Sequence, residues 1–119
     1  MWIYTRDGFF SAVESPQFCQ HNELAIRARD EGDLHKLIAW LKVHGTETDI
    51  IKTPEADYCC RVIIAKATWA QYVADAAANI DYSNFKNATT SHDPLRHDAY
   101  YGCWESLWRW QGKLSNRGT

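Results

Sequence analysis

The 119 residues are enough for one domain with its own core, and 45% hydrophobic with 24% charged residues is the composition of a soluble globular chain. A formal net charge of -2 excludes a global field drawing the chain to nucleic acid or membrane, and leaves room only for a local basic patch. No apolar run approaches the length of a membrane span, and the opening MWIYTRDGFF lacks the charged start and apolar run of a signal peptide.

The four cysteines, Cys19, Cys59, Cys60 and Cys103, make no C-x-x-C pair and no zinc spacing. Reduced thiols in a cytoplasm are therefore the expectation. Tryptophan is the unusual component, with six in this length, which points to a heavily aromatic core or to an aromatic surface that meets something.

Trp2 to Thr5 and Phe9 to Glu14 read as two strands, with Arg6-Asp7-Gly8 as the hairpin turn between them. Ser15 to Asn22 is polar, carries a proline and reads as a loop. Glu23 to Arg29 alternates. Leu24, Ile26 and Ala28 form an apolar face, and Arg27 and Arg29 stand on the opposite one. Asp30 caps a helix with Asp33 in its first turn, Leu34, Leu37, Ile38 and Leu41 as its stripe, and Gly45 as its stop.

Thr48 to Thr53 reads as a strand ended by Pro54. The next strand places Tyr58, Cys60, Val62 and Ile64 on one face, with Cys59 and Cys60 pointing to opposite faces. A second helix follows, with Thr68 and Gln71 as its capping box and Trp69, Val73, Ala76 and Ile80 as its stripe. Asp81 to Asn87 reads as turn, and Asn87 to His92 as a polar link. Asp93-Pro94 starts a last helix with a broad aromatic face: Tyr100, Cys103, Trp104, Leu107, Trp108 and Leu114. Ser115 to Thr119 reads as a frayed tail.

The order β-β-β-α-β-β-α-α predicts a single α+β domain over residues 1–119. Its antiparallel sheet of four to five strands carries two helices on one face, ferredoxin-like or permuted, and the C-terminal aromatic helix is additional.

Several pieces carry a resemblance. They are Tyr4-Thr5-x-x-Gly8-Phe9-Phe10-Ser11-x-Val13, Arg27-Ala28-Arg29 with Asp33-Leu34, and Ala56-Asp57-Tyr58-x-x-Arg61. Ile80-Asp81-Tyr82-x-Asn84-Phe85-Lys86 and Asp98-Ala99-Tyr100 with Trp104 complete the set. With these the chain resembles a family of small uncharacterised bacterial proteins that also occur on mobile elements. The resemblance spans nearly the whole chain. It implies no catalytic residues, because no activity is established for that family. Its mobile-element setting implies an inhibitor of a host defence complex, anti-CRISPR-like, as one role. Cys59-Cys60 and the late tryptophans fall outside the shared pieces.

Five groups are candidates for function. Arg27, Arg29 and Arg61 all face away from the apolar side of their strands. With Tyr4, Phe9 or Phe10 they would make a stacking platform for single-stranded nucleic acid. The competing reading pairs them with Asp57, Glu14 or Glu23. Asp57-Tyr58 and the Asp81 to Lys86 cluster could add a recognition surface, or could simply close turns. His92-Asp93 and His97-Asp98 invite a metal, but their spacing faces the histidines apart on a helix. Cys59 and Cys60 have no histidine placed to act as base. On the last helix, Trp104 and Trp108 with Arg109 form an anchor for a protein partner or for self-association into a homodimer, unless they pack on the sheet edge.

No phosphate loop, nucleophile elbow or HExxH element is present. The sequence therefore favours a binding protein over an enzyme, while these absences leave an unfamiliar enzyme open. It implies no catalytic set, no metal and no cofactor. Its partner-binding residues are Trp104, Trp108 and Arg109. The alternative is nucleic-acid binding through Arg27, Arg29, Arg61 and Tyr4.

Overall fold

In the computed structural model, which describes residues 1–115, strands and helices alternate much as the sequence predicts. The chain forms two compact units, Met1–Ile80 and a second from Asp81 onward.

The first unit opens with the expected hairpin. β1 (Trp2–Thr5) and β2 (Gly8–Val13) pair antiparallel with Thr5 opposite Gly8, so Arg6 and Asp7 make the turn. Gly8 is required there. Its φ is +145°, and a Cβ would run into the carboxylate of Asp33. That buried carboxylate accepts the Phe9 N–H at 3.1 Å and ties the hairpin to the first helix.

β3 (Glu23–Ala28) pairs with β2, and the chain then enters α1 (Glu31–Val43). Asp30 is the N-cap, accepting the Gly32 N–H at 2.9 Å, as its position predicts. β4 is only Ile51–Lys52, shorter than the stretch expected over Thr48 to Thr53. The Thr48 hydroxyl donates to the Ile63 carbonyl, so a side chain takes a place that a ladder bond would fill.

β5 (Cys60–Ala65) lies between β3 and β4 and is antiparallel to both. α2 (Lys66–Ala78) follows with no gap. It starts two residues before the expected capping box. Ala65 is the N-cap and makes no side-chain cap bond, so Thr68 and Gln71 stand inside the helix.

The strand order is β1-β2-β3-β5-β4. Since β5 opposes both neighbours, β3 and β4 run the same way, joined by α1 with β5 inserted between them. That is a split β-α-β unit. In a ferredoxin-like fold the final strand would lie outside the first; here β2, which precedes β3 in the chain, holds that place. The arrangement is the permuted form of that fold, with β1 added at the edge.

One face of the sheet carries the core. Phe10, Ala12, Ile26, Ala28, Cys60, Val62 and Ile64 pack against Leu34, Leu37 and Leu41 of α1 and Trp69 and Tyr72 of α2. Apolar burial of this extent is the main stabilising term for such a unit. The Tyr72 hydroxyl is satisfied inside it, donating to Asp7 Oδ2 at 2.7 Å and meeting the Thr5 hydroxyl at 2.9 Å. Ile80 lies beyond α2 and is exposed, so the helix stripe ends before it.

The second unit holds α3 (Phe85–Thr90) and α4 (Pro94–Leu114). α3 stands where a turn and a polar link were expected. Asn84 caps it through the Asn87 N–H at 3.1 Å, and its own threonines return hydrogen bonds to the Phe85 and Lys86 carbonyls. α4 starts as its sequence predicts, with Asp93 accepting the Arg96 N–H and Pro94 in the first turn. Of the expected frayed tail, Ser115 closes the last turn of α4, and 116–119 lie outside the described residues.

Candidate functional site

α4 is 21 residues long, and Tyr100 is its buried side chain. Along the rest of the helix the large apolar groups meet solvent. Tyr101, Trp104, Leu107, Trp108 and Trp110 are between 46% and 63% exposed. Three of them build a ridge. Tyr101 lies 5.6 Å from Trp104, and Trp104 lies 6.0 Å from Trp108 with the two indoles nearly parallel at 9°. The spacing of three and then four residues puts them on one side of the helix.

The Lys86 ammonium sits 5.4 Å from the Trp104 ring and 5.7 Å from Tyr101, so α3 places a cation on the same ridge. Arg109 pairs with Glu105 one turn back, and its side chain is largely exposed. A pair of this kind contributes well under ~1 kcal/mol, and so it orients Arg109 more than it stabilises α4. Trp104, Trp108 and Arg109 thus share one stretch of surface. Leu107 flanks the ridge beside Trp104, Trp110 stands toward the far side of the helix, and the lysine on α3 is a member that sequence spacing gave no means of finding.

The basic sheet face is also assembled. Trp2, Ser11, Arg27, Arg61 and Ile51 form one row across all five strands, each opposite the next. Tyr4 pairs with Phe9 on this side, with ring centroids 4.7 Å apart. Phe10 does not belong here; the pleat turns it into the core, fully buried.

The arginines differ in setting. Arg29 is exposed and pairs with Asp57 at 3.5 Å, one of the acids expected for that role. Glu14 pairs with Lys66 instead, and Glu23 accepts the Gln20 N–H. Arg27 is half-buried and Arg61 is 8% exposed. Tyr58 also moves relative to expectation. It precedes β5, is buried, and carries both Arg27 and Arg29 over its ring at 4.4 and 4.1 Å. Its place is beside the arginines and not in the apolar core, because the chain enters the pleat only at Cys60. Buried and already engaged by two guanidiniums, this ring is not offered to a base.

The remaining candidates carry less. Phe85 stacks on Tyr100 at 6.0 Å and lies 5.6 Å from Tyr82, a packing role inside the second unit. The Asp93 carboxylate engages Arg96, and His92 is exposed. The two vicinal sulfurs are 3.3 Å apart, not on opposite faces, again because Cys59 precedes the strand. Burial, together with the contact to Cys59, pushes the Cys60 thiol up to about 12. A thiol held protonated at neutral pH is the reverse of an activated nucleophile. Among the described residues no three His, Cys, Asp or Glu side chains are grouped to hold a metal ion, and no helix is long and apolar enough to cross a membrane.

Against known proteins, no family model matches the chain, and no curated protein or solved structure matches it.

Proposed function

We propose that the protein acts by binding another protein through the exposed aromatic side of α4, with Trp104 and Trp108 as anchors and Arg109 as their polar neighbour. One observation carries this reading: Tyr101, Trp104 and Trp108 form a half-exposed aromatic ridge along one side of α4. Scattered exposed apolar residues need no explanation, whereas rings gathered into one ridge offer a partner a continuous apolar surface. Three rings about half exposed, at roughly 200 Å² each, offer on the order of 300 Å² from aromatics alone. That is roughly a third of one partner's share of a standard interface. Trp and Arg are also the residue types that dominate binding energy at interface centres.

The finer reading is a stoichiometric inhibitor of a larger host complex, encoded on a mobile element and anti-CRISPR-like. Its support is the resemblance of the YTxxGFFSxV, RAR, ADYxxR and IDYxNFK pieces to proteins of such elements. Self-association into a homodimer is the simplest use of the same surface. In either case the protein is a binding module, with no catalytic step assigned to it.

The test is Trp108→Ala, followed by gel filtration and circular dichroism. The expected outcome is an unchanged spectrum with association weakened by about 2 kcal/mol, roughly thirtyfold. Loss of the folded spectrum would make Trp108 a core residue and end the proposal.

A further inference from the structure

The arginine row contains an imbalance that the α4 reading does not use. Arg27 and Arg61 are directly opposite one another on neighbouring strands, β3 and β5. Like charges in that position repel. Both are withdrawn from water, Arg61 to 8% exposure. A buried charge ordinarily has an opposite charge beside it.

Neither has one. Among the described residues no carboxylate forms an ion pair with Arg27 or Arg61. Their partners are neutral. Arg27 Nη2 donates to the Ser11 hydroxyl at 2.7 Å, and Arg61 Nη2 donates to the Thr53 hydroxyl at 3.2 Å. The Nε of each is buried with no hydrogen-bond partner among the described residues. Aromatic rings hold the guanidiniums in place, Tyr58 under Arg27 and Phe18 over Arg61 at 4.8 Å.

Two guanidiniums side by side, each held by a ring and a neutral hydroxyl and neither paired with a carboxylate among the described residues, have the chemistry to hold an anion. We propose that Arg27 and Arg61 together bind a small phosphate-bearing ligand, with the phosphate taken between the two guanidiniums. Arginine presents donors in a planar fork that matches a tetrahedral oxyanion, and desolvation makes such charge-assisted bonds strong. Ser11 and Thr53 orient the forks by their hydroxyls. The burial favours a single phosphate group on a small molecule over a nucleic-acid strand. A strand needs an open groove and free ring faces, and Tyr58 is covered on this side.

The test is thermal unfolding of the full chain at constant ionic strength set with sodium chloride. Inorganic phosphate, adenosine monophosphate and a twelve-residue oligothymidylate are titrated separately. Phosphate and the mononucleotide should raise the wild-type midpoint saturably, by about 5 °C or more. Arg27→Gln and Arg61→Gln should each abolish that rise. Should Arg61→Gln fail to fold, the half-buried Arg27→Gln still decides the question. No saturable shift in the wild type, or an equal shift in Arg27→Gln, overturns the proposal. So does tighter binding of the oligothymidylate that weakens steeply when the titration is repeated at higher sodium chloride, which would assign the row to a nucleic-acid backbone.

Discussion

The two units treat tryptophan in opposite ways. In the sheet unit, Trp69 is buried against Phe10 and Tyr72, and its N–H points to Met1 Sδ at 3.5 Å. Trp40 stacks on His44 and donates to Asp75 at 2.8 Å. Only Trp2, on the edge strand, lies mostly in solvent there. In α4, Trp104, Trp108 and Trp110 are all about half exposed, and among the described residues no hydrogen bond is made by any of their N–H groups. An indole that buries its rings usually also satisfies its N–H. Trp40 and Trp69 do so, whereas the three on α4 leave theirs to solvent among the described residues, as the proposed binding surface requires.

That contrast can be broken most forcefully at Trp69. Trp69→Ala should cost about 3–5 kcal/mol, read from denaturant unfolding, because it empties a packed core. A cost under ~1 kcal/mol would mean the sheet unit is not built on its aromatic layer.

The glycines sharpen the same comparison. Gly8→Ala puts a methyl group into the Asp33 carboxylate at a φ of +145° and should cost about 2 kcal/mol or more in the same measurement. Gly102 on α4 has nothing within 4 Å of where a Cβ would stand. Gly102→Ala should therefore stabilise by roughly 0.5–1 kcal/mol through helix propensity. If both changes had the same sign, the two units would not differ in packing as described.

A pH series tests the core by another route. The Cys60 thiol is raised from 9.0 to about 12, by burial first and the Cys59 contact second, and burial raises the Tyr72 hydroxyl from 10.0 as well. The folded state therefore holds these protons more tightly than the unfolded chain. Stability from them is complete below pH 9.0 and declines as pH rises toward about 12. The unfolding midpoint should hold steady up to pH 9.0 and fall as pH rises above it, and Cys60→Ala should flatten the first part of the fall. A wild-type midpoint unchanged across that range would put both groups in water.

Much of the sheet was legible because alternation and turn chemistry agree. Leu24, Ile26 and Ala28 against Arg27 and Arg29 give both the strand and its faces, and Asp7-Gly8 gives the hairpin. What escaped was set by tertiary contacts. The shortness of β4 depends on Thr48 reaching Ile63, a residue of β5. α2 starts at Lys66 because β5 runs straight into it, which overrides a good capping box at Thr68. α3 depends on a cap and two threonine back-bonds within a stretch whose composition reads as turn. At the sites, the late tryptophans and the odd-numbered arginines could be read as faces. Which rings stay exposed, and which arginines lack an acid, could not. Glu14 and Glu23 are near Arg27 in sequence but bind Lys66 and the Gln20 backbone.

The central claim is that the α4 rings are spare to folding and exist for a partner. The most direct measurement is equilibrium unfolding of Trp104→Ala/Trp108→Ala beside the wild type. The account predicts a difference within about 0.5 kcal/mol, the ordinary range for surface substitutions. A loss of about 3 kcal/mol or more, comparable to emptying the core at Trp69, would contradict it.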